Sequence, residues 1–159
     1  MRRKDREITE FDRMLAVLEA CDCCRLGFWD GEGVYILPLN FGYTADGGKG
    51  DGLTLYFHGA LEGKKIDLAK DGPRVGFEMD TKHELITHET ACGYAYRYQS
   101  IIGRGDLKIV TDPEEKILGL ERIMAHYSGR DTWEIRPEMA ARVAVLRLTV
   151  TEWSCKEHE

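Results

Sequence analysis

From Leu53 to His58 the chain alternates strictly, with Leu53, Leu55 and Phe57 on one side and Thr54, Tyr56 and His58 on the other. A period of two marks a strand with one face on a core, so His58 falls on the face away from the leucines. Gly59 and Ala60 then permit a tight turn. From Leu61 the spacing turns helical (Leu61, Lys65, Leu68), and Gly72 stands where such a helix would stop. The corner so formed holds a histidine at the strand end and Lys64 and Lys65 in the first helical turn. The exposed N–H groups of a helix N-terminus, with two ammonium groups beside them, suit a phosphate. An ordinary corner with solvated lysines accounts for the same residues, so the choice rests on the rest of the chain.

Most of that chain reads as strands. Ile8, Phe11, Leu15 and Leu18 mark one face of a helix ending near Ala20, with Thr9 and Asp12 as a variant capping box. A strand over Cys23–Phe28, the turn Asp30-Gly-Glu-Gly33 and a return strand from Val34 to Tyr43 form a hairpin. Pro38 cannot donate to a ladder and belongs at an edge or bulge. Thr44–Gly52 reads as a flexible connection. Arg74–Asp80 is a further strand, and Thr81–Glu89 a solvated loop. Ala91–Val110 is a long strand with Tyr94, Tyr96, Tyr98 and Ser100 on one face, Arg97 and Gln99 on the other, and a bulge at Gly103-Arg-Gly105. Asp112-Pro-Glu-Glu115 is a helix start with an aspartate cap, a proline at the first position and Glu115 closing a capping box. Ile117, Leu120, Met124 and Tyr127, with Ile123 beside them, would be that helix's buried stripe, and Ser128-Gly129 its end. A loop with Trp133 and Pro137 leads to a last strand, Ala141–Trp153. At least six strands against three helices make a mainly β, α+β fold, an antiparallel sheet or small barrel with helices outside.

A chain of 159 residues fits one domain, residues 1–159, able to bury a core. With a formal charge of −6 and a pI near 5.4, its net field disfavours nucleic acid and anionic membrane surfaces. No apolar run reaches the roughly 20 residues of a membrane span, and the N-terminus lacks the apolar core of a signal peptide, so a cytoplasmic location is expected. The five cysteines (Cys21, Cys23, Cys24, Cys92, Cys155) are an odd number, expected as reduced thiols. Neither Cys21-Asp-Cys-Cys24 nor the pair His83 and His88, five residues apart, has the spacing of a metal site. No nucleophile–base constellation stands out either. A phosphate corner beside aromatic strand residues suits a phosphate-bearing flat cofactor better than a hydrolase.

Four stretches in order, Arg2-Arg-Lys-Asp-Arg-Glu-Ile8, Leu37-Pro-Leu-Asn-Phe-Gly-Tyr43, Leu55-Tyr-Phe-His-Gly-Ala-Leu-Glu-Gly-Lys-Lys65 and Tyr98-Gln-Ser-Ile-Ile-Gly-Arg-Gly105, resemble the pyridoxamine 5′-phosphate oxidase-like, FMN-binding split-barrel family. The similarity is greatest to its 5-nitroimidazole resistance branch, and Trp153-Ser-Cys-Lys156 resembles the family's terminal Gly-Lys segment. The resemblance implies a six-stranded antiparallel split barrel and a homodimer with FMN at the interface. It would set Pro38, Leu39, Asn40 and Phe41 along the flavin ring, Phe57, His58, Gly59 and Ala60 beside ring and ribityl chain, and Lys64 and Lys65 on the phosphate. Ser100 would add a hydroxyl, and Trp133 would reach the flavin from the partner subunit. Relatives often carry arginine directly before the serine. Here Gln99 stands there, and Arg97, two residues earlier on the same face, would replace that charge. The function implied is an FMN-dependent oxidoreductase passing electrons from NAD(P)H to a small electron-poor acceptor such as a nitro-aromatic, with His58 touching acceptor or ring. A flavin- or haem-binding carrier or sensor and a pyridoxamine-phosphate oxidase are the alternatives, the last without a second set of phosphate-binding arginines.

Overall fold

The computed structural model describes residues 3–46 and 52–158. After a 3-10 turn at Lys4–Arg6 come β1 (Glu7–Ile8), α1 (Phe11–Ala20), β2 (Cys24–Trp29), β3 (Val34–Leu39), β4 (Phe41–Ala45) and β5 (Leu53–Gly59). They are followed by α2 (Lys64–Ala69), β6 (Arg74–Ile86), β7 (Ala95–Ile109), α3 (Pro113–Ser128), α4 (Pro137–Ala140) and β8 (Ala144–His158). All pairings are antiparallel, in the order β3-β2-β6-β7-β8-β5-β4, with β1 added along β8.

The sheet's two edges, β3 and β4, are consecutive in sequence, separated by Asn40 alone. A single residue cannot carry the chain across a flat seven-strand sheet, since it spans at most about 3.6 Å. The sheet therefore curls until its edges meet at Asn40, with no ladder between β3 and β4. This is the split barrel that the family resemblance implies, and it agrees with the antiparallel sheet or small barrel read from the strand pattern. The strand count is eight rather than six because the run from Val34 to Tyr43 breaks at Asn40 and the short β1 adds a rung. Pro38 lies on edge strand β3, opposite Arg25, where its missing N–H breaks no second ladder.

The barrel interior takes one residue in two from each strand, Leu26, Phe77, Ile101, Leu148, Leu55 and Phe41 among them. From α1 Leu18, and from α2 Ile66 and Ala69, join this core. A second, smaller cluster lies outside the barrel, where Ile123 and Leu120 of α3 cover Tyr56 and Val145. Two glycines let α3 come this close. A Cβ on Gly42 would sit 2.2 Å from the Ile123 backbone nitrogen, and one on Gly119 2.8 Å from the Tyr56 ring.

Five local expectations change. No side chain caps α1, and the Thr9–Asp12 box does not form, because Ile8 is drawn into β1 opposite Cys155. Thr81–Glu89 is not a loop. Strand β6 continues to Ile86 through an irregularity between Thr81 and Glu84, where Lys82 adopts φ 53°. Strand β7 begins only at Ala95, after a 3-10 turn at Ala91–Gly93. On α3 the buried positions are Gly119 and Ile123, while Met124 and Tyr127 are exposed, because backbone contact at the glycines rotates the buried face. The start of α3 is as read: the Asp112 carboxylate accepts the Glu115 N–H at 2.9 Å, Pro113 opens the helix and Gly129 closes it at φ 63°. Glu115 itself does not complete a capping box, since its carboxylate takes Arg147 at 2.8 Å. The bulge expected at Gly103–Gly105 is present as a register shift between Arg104 and Gly105.

Gly42→Ala should therefore push α3 off the sheet and cost about 2–3 kcal/mol. Gly33→Ala, with nothing within 4 Å of the added carbon, should stay within about 0.5 kcal/mol. Urea unfolding midpoints of the two variants test the contrast.

Candidate functional site

Strand β5 delivers His58 to its end, opposite Val145 of β8 and one residue beyond the Phe41–Phe57 pair that joins β4 to β5. Asn40 precedes Phe41, so Asn40 and His58 stand together where the barrel splits. Lys65 folds back onto this corner, its Nζ donating to the His58 carbonyl at 3.1 Å. A Cβ on Gly59 would lie 2.4 Å from that Nζ, so the missing side chain makes room for the ammonium group. Burial, and secondarily the Lys65 charge, holds the His58 imidazole below its ordinary 6.5, and burial lowers Lys65 as well. His58 is therefore neutral at neutral pH, with one ring nitrogen a donor and the other an acceptor.

Lys64 has other work. Its Nζ lies 2.6 Å from the Asp30 carboxylate and 4.5 Å from the centre of the Tyr35 ring, tying α2 to the β2–β3 hairpin. Asp30 also accepts the N–H groups of Glu32 and Gly33, and with Lys64 these hold its carboxyl far below the usual range. The helix begins at Lys64, not Leu61, because Gly63 at φ 123° precedes it, and it has only six residues. Leu61 is exposed. Positive charge at this corner thus comes from the Lys65 side chain rather than from a long helix dipole, since Lys64 is paired with Asp30.

The other expected site residues divide into three groups. Pro38 and Asn40 are exposed and Leu39 half-buried beside the split, while Ala60 is exposed next to Gly59. Phe41 and Phe57 are wholly buried, so only their backbone can face a ligand. Arg97, Gln99 and Ser100 lie elsewhere. Ser100 pairs with Lys156 of β8 whereas His58 pairs with Val145, eleven residues away on the same strand, or about 36 Å of extended chain at roughly 3.3 Å per residue. Arg97 is bonded to Glu84 at 2.8 Å and Gln99 to Glu157 at 3.1 Å. Ser100 is only 8% exposed, and its Oγ has no partner. The Trp133 indole donates to Ser128 Oγ of its own chain at 3.0 Å, with the Arg130 guanidinium 4.6 Å from its ring.

Tyr127 was read as a core residue, but it pins the split: its hydroxyl accepts the Phe41 N–H at 3.2 Å and donates to the Asp22 carbonyl at 2.7 Å. No sequence pattern marks it, since both of its partners are backbone atoms. Lys156, opposite Ser100, was signalled only by the terminal Trp153–Lys156 segment. His83 pairs with Asp80 at 3.0 Å and His88 with Thr90 at 3.2 Å. Among the described residues no group of three or more His, Cys, Asp or Glu is placed to hold a metal ion.

Residues 10–157 match the family described as pyridoxamine 5′-phosphate oxidase. The chain belongs to this family. Among solved structures, a candidate 5-nitroimidazole antibiotic resistance protein from Bacteroides thetaiotaomicron is 30% identical with a TM-score of 0.78, over 95% of this chain and 86% of that one. The flavocytochrome Anf3 from Azotobacter vinelandii superposes with a TM-score of 0.77 at 17% identity, over 100% and 72% of the two chains. A FAD- and haem-binding protein from Mycobacterium smegmatis gives 0.79 at 16%, over 97% and 74%. The last two likenesses show the fold alone. A search of curated proteins finds no match. No helix among the described residues is long and apolar enough to cross a membrane.

In the folded pyridoxamine 5′-phosphate oxidase-like chain, His58 should titrate below 6.5. Lys65→Ala should raise its midpoint without restoring 6.5, since burial is the larger cause. The unfolded chain takes up the proton near 6.5, so this group leaves stability unchanged above that pH and lowers it as pH falls from there through the folded value. Imidazole C–H signals followed by NMR across pH 4–8 give both midpoints.

Proposed function

We propose that the protein is an FMN-dependent oxidoreductase of the cytoplasm, passing electrons from NAD(P)H to small electron-poor acceptors such as nitro-aromatics. The observation that carries this reading is the corner where neutral His58, Asn40 and Lys65 meet at the split of a barrel belonging to this family. The 30% identical candidate 5-nitroimidazole resistance protein supports the acceptor class. The residues present fit a phosphate-bearing flavin: Lys65 is held over a glycine, small Gly59 and Ala60 leave room beside it, and Ser100 carries a buried hydroxyl without a partner. The two groups stand against β8 residues eleven positions apart, about 36 Å of strand contour, which favours their serving one ligand from different copies. A homodimer with the flavin between copies reconciles them, the corner coming from one and Arg97, Gln99, Ser100 and Trp133 from the other.

When bound, the flavin supplies the two-electron redox chemistry. The chain supplies position and charge. Lys65, with Lys64 behind it, neutralises the phosphate. The Asn40 amide, exposed at the split beside Pro38 and Leu39, can donate a hydrogen bond to the polar edge of the ring, where it would stabilise developing negative charge. His58, kept neutral by burial, presents one N–H and one lone pair and so can donate a hydrogen bond to a nitro-type oxygen without repelling a nicotinamide ring that gains positive charge as it gives up hydride.

Freshly purified protein should be yellow, with FMN recovered by mass spectrometry; a colourless protein that takes up no added FMN would refute the reading. Lys65→Ala should weaken FMN retention about tenfold, the loss of one charge-assisted hydrogen bond, Lys64→Ala less, and Lys4→Ala not at all. Equal effects would remove the phosphate from this corner. NAD(P)H oxidation that rises with added nitro-aromatic supports turnover, and tight flavin binding without it marks a carrier.

A further inference from the structure

At the β4 edge of the sheet, between α1 and α3, lies a cavity of about 640 Å³. None of its lining residues belongs to the corner or to the groups assigned to a flavin. Three carboxylates, Glu19, Asp46 and Asp131, line it against one guanidinium, that of Arg122. His126 of α3 forms part of its wall.

The His126 side chain is only 3% exposed, and one of its two ring nitrogens is left over. Nε2 lies 2.8 Å from the Cys21 carbonyl, which can only accept, so Nε2 carries the hydrogen. Nδ1 is buried with no hydrogen-bond partner. The rings of Phe41 and Tyr127, with centres 4.4 and 4.8 Å from that of His126, pack the imidazole in this orientation. What Nδ1 faces is the Glu19 carboxylate at 3.5 Å, itself oriented by the Tyr43 hydroxyl, which donates to it at 2.8 Å. A lone pair and a carboxylate oxygen thus look at each other with no donor between them, a costly arrangement for a buried atom. Arg122 Nε is the converse case, a buried donor without an acceptor. No metal ion explains the gap, since no third ligand is placed to join His126 and Glu19 among the described residues. Glu19 is more than half exposed, so its carboxylate can swing to admit a ligand while His126 stays fixed.

We infer that this cavity binds the ammonium group of a small amine, which donates to His126 Nδ1 and to the Glu19 carboxylate together. An ammonium group fits because it brings several donors on one atom and a positive charge, where the site offers a lone pair and a surplus of carboxylates. Leu15, Ala45 and Ala125 supply an apolar wall for the carbon chain of such a molecule. Arg122 distinguishes two sources of the same chemistry. An amine that also carries a carboxylate satisfies its Nε–H, and a plain amine does not. The inference is independent of the flavin reading.

Butylamine, 4-aminobutyrate and butyrate, titrated separately into the whole protein in amine-free buffer, test the site by calorimetry and by the imidazole nitrogen signals of His126. Butylamine should bind and shift the Nδ1 signal, and butyrate should do neither. Glu19→Gln should weaken butylamine about tenfold, the loss of one charge-assisted hydrogen bond, and Glu114→Gln in the exposed first turn of α3 should leave it unchanged. Arg122→Gln reads the source. A fall in the ratio of 4-aminobutyrate to butylamine affinity assigns an amino-acid-like ligand, and an unchanged ratio assigns a plain amine. No butylamine binding by the parent would overturn the proposal, and is the result expected if a water or a second hydrogen on the ring fills the gap. Butyrate bound as tightly as butylamine, an equal loss in Glu114→Gln, or binding that leaves the His126 signals in place would each overturn it too. A colourless protein would refute the oxidoreductase reading and leave these titrations readable.

Discussion

The ladder between β7 and β8 is the constraint on which the rest of the molecule depends. It runs from Tyr98–His158 at one end to Ile109–Leu146 at the other and passes through one bulge, at Arg104 and Gly105. The bulge needs glycine at this crossing: a Cβ on Gly105 would lie 2.2 Å from the Thr149 carbonyl oxygen, and one on Gly103 2.4 Å from the Phe77 ring. An added residue in one strand bends it and sharpens the twist. That bend lets two 15-residue strands wrap a core instead of projecting as a flat ribbon. Strands β6 and β5 pair on either side, and the curl they inherit brings the sheet's edges together at Asn40.

The same ladder separates the chemistry. One end of β8 carries the partner of His58, the other the partner of Ser100. Two clusters with lysine side chains, built differently, therefore stand against parts of β8 eleven residues apart. At the corner Lys65 is turned back over a glycine and Lys64 is held by Asp30, so the charge there is fixed in place by the β2–β3 hairpin. At the far end Ser100 Oγ has no partner, and the Lys156 ammonium group rests over the Tyr98 ring.

Much of this was legible in the sequence. The alternation at Leu53–His58, the turn at Asp30–Gly33, the Asp112-Pro cap and the Gly103–Gly105 bulge all depend on neighbours within a few residues, and each appears where the pattern puts it. The misreadings share a physical cause. Thr81–Ile86 is polar because it is the solvated, far part of a hairpin, and its strand state comes from pairing with Tyr96, Arg97 and Gln99, which no local signal announces. Thr9 would cap a helix in isolation, but pairing of Ile8 with Cys155 takes the backbone elsewhere. Gly119 carries no hydrophobic side chain and so is invisible in an apolar stripe, yet it is where α3 touches the sheet.

By itself, then, the sequence determined the strands, the main helix, the tight corner with His58 and two lysines, and the family, because these follow from spacing, turn chemistry and short motifs. Only the tertiary structure decided which lysine is already paired, that Phe41 and Phe57 face inward, and that Ser100 lies at the opposite end of β8 beside Lys156. Those facts depend on register and on closure of the sheet, which join residues far apart in the chain. A period of two says which face a side chain takes; only the pairing of one strand with another says what it will meet there.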